Sequence, residues 1–335
     1  MAAASMPTAT MRALLCREFG LPAQLSVTSR PLPEPAAGEV LIQVRACGVN
    51  FPDVLMVAGQ YQVRPALPFV PGLELAGEIA AVGKGVSSER IGERVCAVVE
   101  CGAMAEWATA PAERCFAIPA ALAFETAAGF ALVYGTSHMA LVHRARLQAG
   151  ESLLVLGAAG GVGLAAVELG VWLGARVIAA ASSAEKLALA RAYGAEAGIQ
   201  YPEENLRERV FQLTEGRGAD VIFDPVGGDL FDQAVRCLAW EGRHLVVGFA
   251  SGRIPSLPAN RALLKNMALV GVYWGAYLER EPTFIQGSLS TLFQLAATEQ
   301  LRPHISRAYP LAEAGAALTE LAERRALGKL ILTTA

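Results

Sequence analysis

The sequence predicts an α/β protein in two parts, an irregular β-rich part and a doubly wound parallel sheet of six strands. Three observations carry that prediction. The pattern changes character near residue 130, and six near-continuous apolar runs separated by helical stretches follow it. The 335 residues are 53% apolar and only 18% charged, so there is ample material for strands buried on both faces.

Before residue 130, the runs Glu39–Ala46, Glu78–Val82 and Arg94–Val98 are short and punctuated by Pro and Gly, the pattern of strands joined by turns. Beyond it, Ser152–Gly157, Ala175–Ala181, Gly198–Tyr201, Asp220–Pro225, Arg243–Phe249 and Ala268–Trp274 read as strands. Helices fit Gly161–Gly174, Ala184–Tyr193, Leu206–Thr214 and Leu230–Leu238. From Pro282 the pattern is mixed again: helices near Ser288–Glu299 and Ala312–Arg325, then a strand Lys329–Thr333 expected to return to the first part. Residues 1–10 are small and polar, without the features of a secretory or transit signal, and are expected to be a disordered lead-in before Met11.

Composition excludes several function classes. A net charge of −3 argues against nucleic acid or an anionic membrane surface as the main partner. The greasiest stretch, Gly160–Ala181, carries Glu168, Arg176 and several glycines, so no membrane span is expected. Six cysteines without a Cys-x-x-Cys pair are too sparse for a disulfide framework, and a reducing cytoplasm is the expected compartment. The four histidines show no metal-ligand spacing.

The chemistry centres on Leu153-Leu-Val-Leu-Gly157-Ala-Ala-Gly160-Gly161-Val162-Gly163, a strand running into a glycine turn at a helix start. Such a turn lets backbone N–H groups approach a pyrophosphate closely, aided by the helix dipole. Gly160, Gly161 and Val162 are the candidate contacts. An acidic residue about 20 positions on would bind a ribose 2′-hydroxyl. Here the next strand ends Ala179-Ala-Ala-Ser182-Ser183-Ala-Glu185-Lys186, with no carboxylate at the strand end. Ser182, Ser183, Lys186 and Tyr201 are therefore candidates to hold a 2′-phosphate, and NADPH is the expected cofactor.

Several motifs in order carry a family resemblance: Val40–Asp53 (VLIQVRACGVNFPD), Pro68–Gly77 with Gly72-Leu73-Glu74, the glycine turn, Asp224-Pro-Val-Gly-Gly228 and Gly328-Lys329-Leu-Ile-Leu. Together they resemble the medium-chain dehydrogenase/reductase superfamily over the whole chain after Met11. In the zinc-dependent members a cysteine stands where this chain has Asn50, and a histidine where it has Leu73. With those ligands replaced no metal is expected. The zinc-less quinone oxidoreductase, or zeta-crystallin, branch is the most similar, through Asn50-Phe-Pro-Asp53 and Ala158–Gly163.

That resemblance implies a GroES-like catalytic domain from residues 11–130 and 275–335, with a Rossmann domain at 131–274. It places Asn50 and Thr136 near the nicotinamide, Ser182, Lys186 and Tyr201 at the 2′-phosphate, and Phe249 and the 272–274 segment with Trp274 at the nicotinamide's edge. Lys329 reads mainly as a solvated helix end after Arg324-Arg325, with a secondary expectation that it touches cofactor. An apolar slot for the acceptor is expected from Phe51, Leu55, Tyr61, Tyr134 and Trp274. Related enoyl-thioester reductases use a tyrosine placed like Tyr61 as a donor. Asp53 is expected to tie the motif's backbone. The expected activity is hydride transfer from NADPH to a quinone or conjugated enone; 2-enoyl thioester or alkenal reduction and non-catalytic NADPH binding are the rivals. A homodimer through the apolar edge strand near 267–273 is expected.

Overall fold

A computed structural model describes residues 9–334. Residues 1–8 of the expected lead-in lie outside the described residues, and the fold begins earlier than expected, because Thr10 already pairs with Pro31.

The strands are β1 (Thr10–Leu15), β2 (Ser26–Pro31), β3 (Glu39–Val49), β4 (Glu74–Val82), β5 (Arg94–Val98), β6 (Trp107–Pro111), β7 (Cys115–Ala117), β8 (Ser152–Leu156), β9 (Arg176–Ala181), β10 (Ala197–Gln200), β11 (Ala219–Asp224), β12 (Leu238–Val246), β13 (Ala268–Gly271), β14 (Ile305–Pro310) and β15 (Lys329–Thr333). The α-helices are α1 (Phe51–Val57), α2 (Phe124–Ala128), α3 (Ala131–His138), α4 (Gly161–Trp172), α5 (Ala184–Ala192), α6 (Leu206–Leu213), α7 (Gly228–Ala234), α8 (Ala259–Lys265), α9 (Tyr277–Arg280), α10 (Pro282–Ala297) and α11 (Ala314–Ala322). Two compact units result, one of residues 1–132 and 289–335, the other of 133–288, so 275–288 groups with the second unit.

In the first unit a seven-stranded sheet runs β14-β15-β3-β4-β5-β7, with β6 also paired to β3. Only β14 and β15 are parallel to one another. The central strand β3 buries Val40, Ile42 and Val44 in one core with Leu75, Val95 and Leu330. The C-terminal strand lies directly against β3, with Leu330 opposite Val49 and Ile331 opposite Gly48.

In the second unit six parallel strands run β10-β9-β8-β11-β12-β13. All five residues of β8 are buried, which is what a near-continuous apolar run requires. Winding starts at β8, proceeds outward to β10, then restarts at β11 on the other side. The switch point is therefore the crevice beyond the carboxyl ends of β8 and β11, where open α/β sheets bind ligands. β12 differs from expectation. It starts at Leu238 and ends at Val246, leaving Phe249 in the loop that follows.

Candidate active site

At the end of β8 the chain enters the glycine turn. Gly157 has φ +60°, and Gly160 is the N-cap residue of α4. A Cβ on Gly163 would stand 2.2 Å from the Gly157 carbonyl oxygen, so only glycine lets the first turn of α4 close on the strand end. Neither Gly161 nor Val162 is fully buried, and Ser137 Oγ donates to the Val162 carbonyl at 2.9 Å. The other wall of the crevice is the Asp224–Gly228 turn. Asp224 Oδ1 accepts from the N–H groups of Val226 and Gly227, both at 2.8 Å, while Oδ2 meets Nε2 of His244 at 3.0 Å. His244 is wholly buried on the neighbouring strand, and Phe231 packs on its ring. The turn is also zipped to the loop after β12: Ala250 N–H donates to Pro225 O, and Ser251 N–H to Val226 O.

At the end of β9, Lys186 Nζ donates to Ser182 Oγ at 3.2 Å, and Ser183 Oγ caps α5 by accepting from Lys186 N. The sequence thus brings a hydroxyl and an ammonium together on the strand-to-helix turn. Tyr201, on the turn after β10, packs partly buried against the second unit's core, and Thr136 is half-buried on α3. Phe249 is partly exposed. Tyr134 and Trp274, expected in the acceptor slot, are each only 3% exposed. Tyr134 donates to Glu168 Oε2 at 2.6 Å, and burial together with that carboxylate raises the phenol well above its usual range. The Trp274 ring lies 2.9 Å from where a Cβ on Gly135 would stand.

In the first unit, the last residue before α1 and the first residues of two strands meet at one end of the sheet. Asn50 follows β3, Glu74 opens β4 and Lys329 opens β15, and β3 lies between those two strands. Lys329 Nζ donates to Glu74 Oε1 at 2.7 Å and to Asn50 Oδ1 at 2.5 Å. Asn50 Nδ2 donates to Glu74 Oε1 at 2.9 Å, and Glu74 Oε2 accepts the Leu132 N–H at 2.9 Å. Gly48 permits this: its Cβ would stand 2.4 Å from Glu74 Oε1. The reading of Lys329 as a solvated helix end is therefore corrected. It opens β15, the strand expected there, is 5% exposed, and gives its ammonium to Glu74 and Asn50. Both ends of the Asn50 carboxamide are likewise engaged by protein groups.

Asp53 is fully buried, and its Oδ2 accepts the Asn50 N–H at 2.8 Å, the backbone tie expected of it. Burial outweighs that bond and pushes its carboxyl up to about 7. Phe51, Leu55 and Tyr61 are half-buried on or just after α1; Tyr61 packs against Cys16, Met56, Phe69 and Leu73. Leu73, at the place of a zinc histidine, is part of that apolar cluster. An aliphatic chain at one ligand place and a carboxamide bonded to an ammonium at the other do not make a zinc donor set. These residues do not fit the metal.

Sequence reasoning missed Glu74 as the hub of this cluster and His244 as the partner of Asp224. The Gly72-Leu73-Glu74 signature flagged the first. Nothing local flagged the second beyond period 2, which puts the residue opposite Ile222 on the same face as Asp224.

Comparisons with known proteins agree with this geometry. The family described as alcohol dehydrogenase GroES-like domain matches residues 36–140, and that described as zinc-binding dehydrogenase matches 161–290. Quinone oxidoreductase-like protein 2 homolog of Nematostella vectensis is 41% identical over 96% of this chain and 89% of its own. The chain belongs to the zinc-less quinone oxidoreductase branch of the medium-chain dehydrogenase/reductase superfamily. It is an oxidoreductase of that branch. Among solved structures, Escherichia coli quinone oxidoreductase complexed with NADPH superposes with TM-score 0.90 at 29% identity, covering 97% of this chain and 100% of that one. A mycobacterial protein complexed with NADPH gives TM-score 0.91 at 34% identity, covering 97% and 100%.

Proposed function

We propose that the protein is an NADPH-dependent, zinc-independent reductase that passes a hydride to a quinone or a conjugated enone. The observation that carries this is the carboxyl edge of the second unit's sheet. There a glycine turn at the switch point is followed, one strand over, by Ser182 bonded to Lys186 with no carboxylate at the strand end. The N–H groups of Gly160, Gly161 and Val162 suit a pyrophosphate, and Ser182, Ser183, Lys186 and Tyr201 suit a 2′-phosphate. NADPH, when bound, supplies a hydride from nicotinamide C4.

The rest falls to this chain's own side chains. Phe51 and Leu55 offer an apolar surface that orients a flat acceptor and keeps water away. The Tyr61 phenol donates a hydrogen bond to the acceptor oxygen as negative charge builds on it. Thr136 takes a place at the nicotinamide, with Phe249 at its edge. Asn50 works by being fixed: with its carboxamide spent on Lys329 and Glu74, it holds the start of α1 and therefore the position of Phe51 and Leu55. An already electrophilic acceptor requires no Lewis acid.

Oxidation of NADPH and of NADH would be followed with phenanthrenequinone, benzoquinone, an alkenal and crotonyl-CoA. Activity with the quinones or the alkenal, NADPH preferred, is the expected result. No oxidation with any acceptor overturns the enzyme reading, and turnover of crotonyl-CoA alone replaces it with thioester reduction. Lys186→Ala should weaken NADPH at least about tenfold and leave NADH nearly unchanged; equal effects on both would refute the phosphate assignment.

We also propose a homodimer through β13, an edge strand flanked by exposed Leu263, Leu264 and Tyr273, with Leu269 exposed on the strand itself. Light scattering should give twice the chain mass, and Leu269→Lys should return it to one. A reducing compartment, the cytoplasm, suits the free cysteines. No helix among the described residues is long and apolar enough to cross a membrane.

A further inference from the structure

The carboxyl edge of the second unit's sheet is taken up by the glycine turn and its neighbours. The amino edge carries a different feature. Where Val235–Cys237 leads into β12 and Met267 leads into β13, a surface groove of about 350 Å³ opens, with Arg207, Arg236, Arg261 and Lys265 around a floor that includes Val235 and Met267. A second groove of about 530 Å³ adjoins it and shares Arg207.

Four cations converge on one groove of a chain whose net charge is −3. No carboxylate lies within ion-pair distance of any of the four among the described residues, whereas Arg176 is paired with Glu196 and Arg253 with Asp229. The carboxylate that lines the second groove, Glu208, accepts from Asn205. Lys265 is held in place: its ammonium donates to the main-chain carbonyls of Leu238 and Arg236, and it lies 5.5 Å from the centre of the Phe211 ring. The Arg207 guanidinium is also 5.5 Å from the centre of that ring. Burial lowers the Lys265 ammonium from its ordinary value, and the charge on Arg207 works in the same direction. Like charges gathered without counter-charges repel one another, and an arrangement of this kind is stabilised when a multivalent anion fills it.

We propose that this groove is an anion site for a ligand carrying linked phosphate groups, bound at the opposite edge of the sheet from the glycine turn. Three planar guanidinium forks and one fixed ammonium match a pyrophosphate, whose oxygens accept in pairs from arginine. The Phe211 ring gives a nucleotide ligand a place to rest its base; free pyrophosphate would use the cations alone. This site is separate from the dinucleotide contacts proposed above and does not depend on them.

The test is calorimetric titration of the full chain at low ionic strength with inorganic pyrophosphate and with ADP, each with and without saturating NADPH. Binding of one equivalent that persists under NADPH is expected, weakening steeply as salt rises. Arg207→Gln, Arg236→Gln and Arg261→Gln should each weaken it several-fold, and the triple variant by about a hundredfold or more. These arginines are exposed, so the variants should fold, and NADPH oxidation measured alongside should keep its wild-type rate. ADP binding tenfold tighter than pyrophosphate supports a nucleotide ligand, and equal binding supports free pyrophosphate. Absence of NADPH-resistant binding, or equal binding by the triple variant, overturns the proposal. So does a triple variant that loses only self-association, because the groove would then be a contact between copies. Failure of the NADPH assay leaves the pyrophosphate titration without NADPH readable, so the two readings fail separately.

Discussion

Lys329 meets Glu74 across 255 residues of chain, whereas His244 meets Asp224 across 20. Both pairs are buried, and in both the carboxylate is also served by main-chain N–H groups: Leu132 for Glu74, Val226 and Gly227 for Asp224. The first pair ties the C-terminal strand to the sheet that the first hundred residues begin. The second joins two adjacent strands and shapes the turn between β11 and α7. The same chemistry therefore closes a unit in one place and tunes a loop in the other. The donor differs as well, an alkylammonium that also reaches Asn50 in one pair and an imidazole Nε2 in the other.

The comparison can be broken by removing each carboxylate's side-chain partner in turn. Lys329→Met strands Glu74 without its cation and frees one end of Asn50, and should cost about 3–5 kcal/mol in urea unfolding. Adding Glu74→Gln should recover part of that, with a coupling energy above about 1 kcal/mol in the double-mutant cycle. Additive losses would show that the two residues do not act as a pair.

Asp53 sharpens the contrast by adding pH dependence to the first unit. Its folded-state carboxyl is raised to about 7, against about 3.9 for an unperturbed aspartate. The folded state keeps a proton that the unfolded chain releases, so this contribution is full below about pH 4 and is lost as pH rises through 7. Between pH 4 and 8 the stability difference should be roughly 2–4 kcal/mol, and Asp53→Asn should remove it from the unfolding profile. An unchanged profile in the variant would assign the slope to other groups.

The smallest effect belongs to the second unit. His244→Leu leaves Asp224 its two main-chain donors and should cost about 1–3 kcal/mol. Unlike Lys329→Met, it should also weaken NADPH, because the turn that Asp224 shapes lies beside Gly157, with Val226 Cγ2 3.1 Å from where a Gly157 Cβ would stand. His244→Gln, which keeps a donor, should restore much of the binding. If His244→Leu lowers stability and leaves NADPH affinity intact, the pair serves the strands alone.

Much of this was legible in the sequence. The parallel strands appeared as apolar runs within a few residues of their ends, because strands covered on both faces have no polar alternation to blur. The glycine turn, the missing strand-end carboxylate and the Ser182–Lys186 neighbourhood were readable because each is local. Lys329 was not. Its surroundings in sequence are a charged helix end, and only sheet pairing with β3 carries it to Glu74 and Asn50. The burial of Tyr134 and Trp274 was illegible for a related reason: an aromatic near a motif looks the same whether it faces a slot or closes on a glycine such as Gly135.

The contact between Lys329 and Asn50, 279 residues apart, also bears on how the protein is made. At synthesis rates of roughly 5–20 residues per second, Asn50 leaves the ribosome about a quarter of a minute to a minute before its partner exists. In that interval the sheet built on β3 stands with the last residues of that strand uncovered along one edge, while the six-stranded sheet encoded between can complete itself. The second half of the molecule to begin folding is thus the first able to finish, and the earliest segments stay open to chaperones until the last few residues arrive.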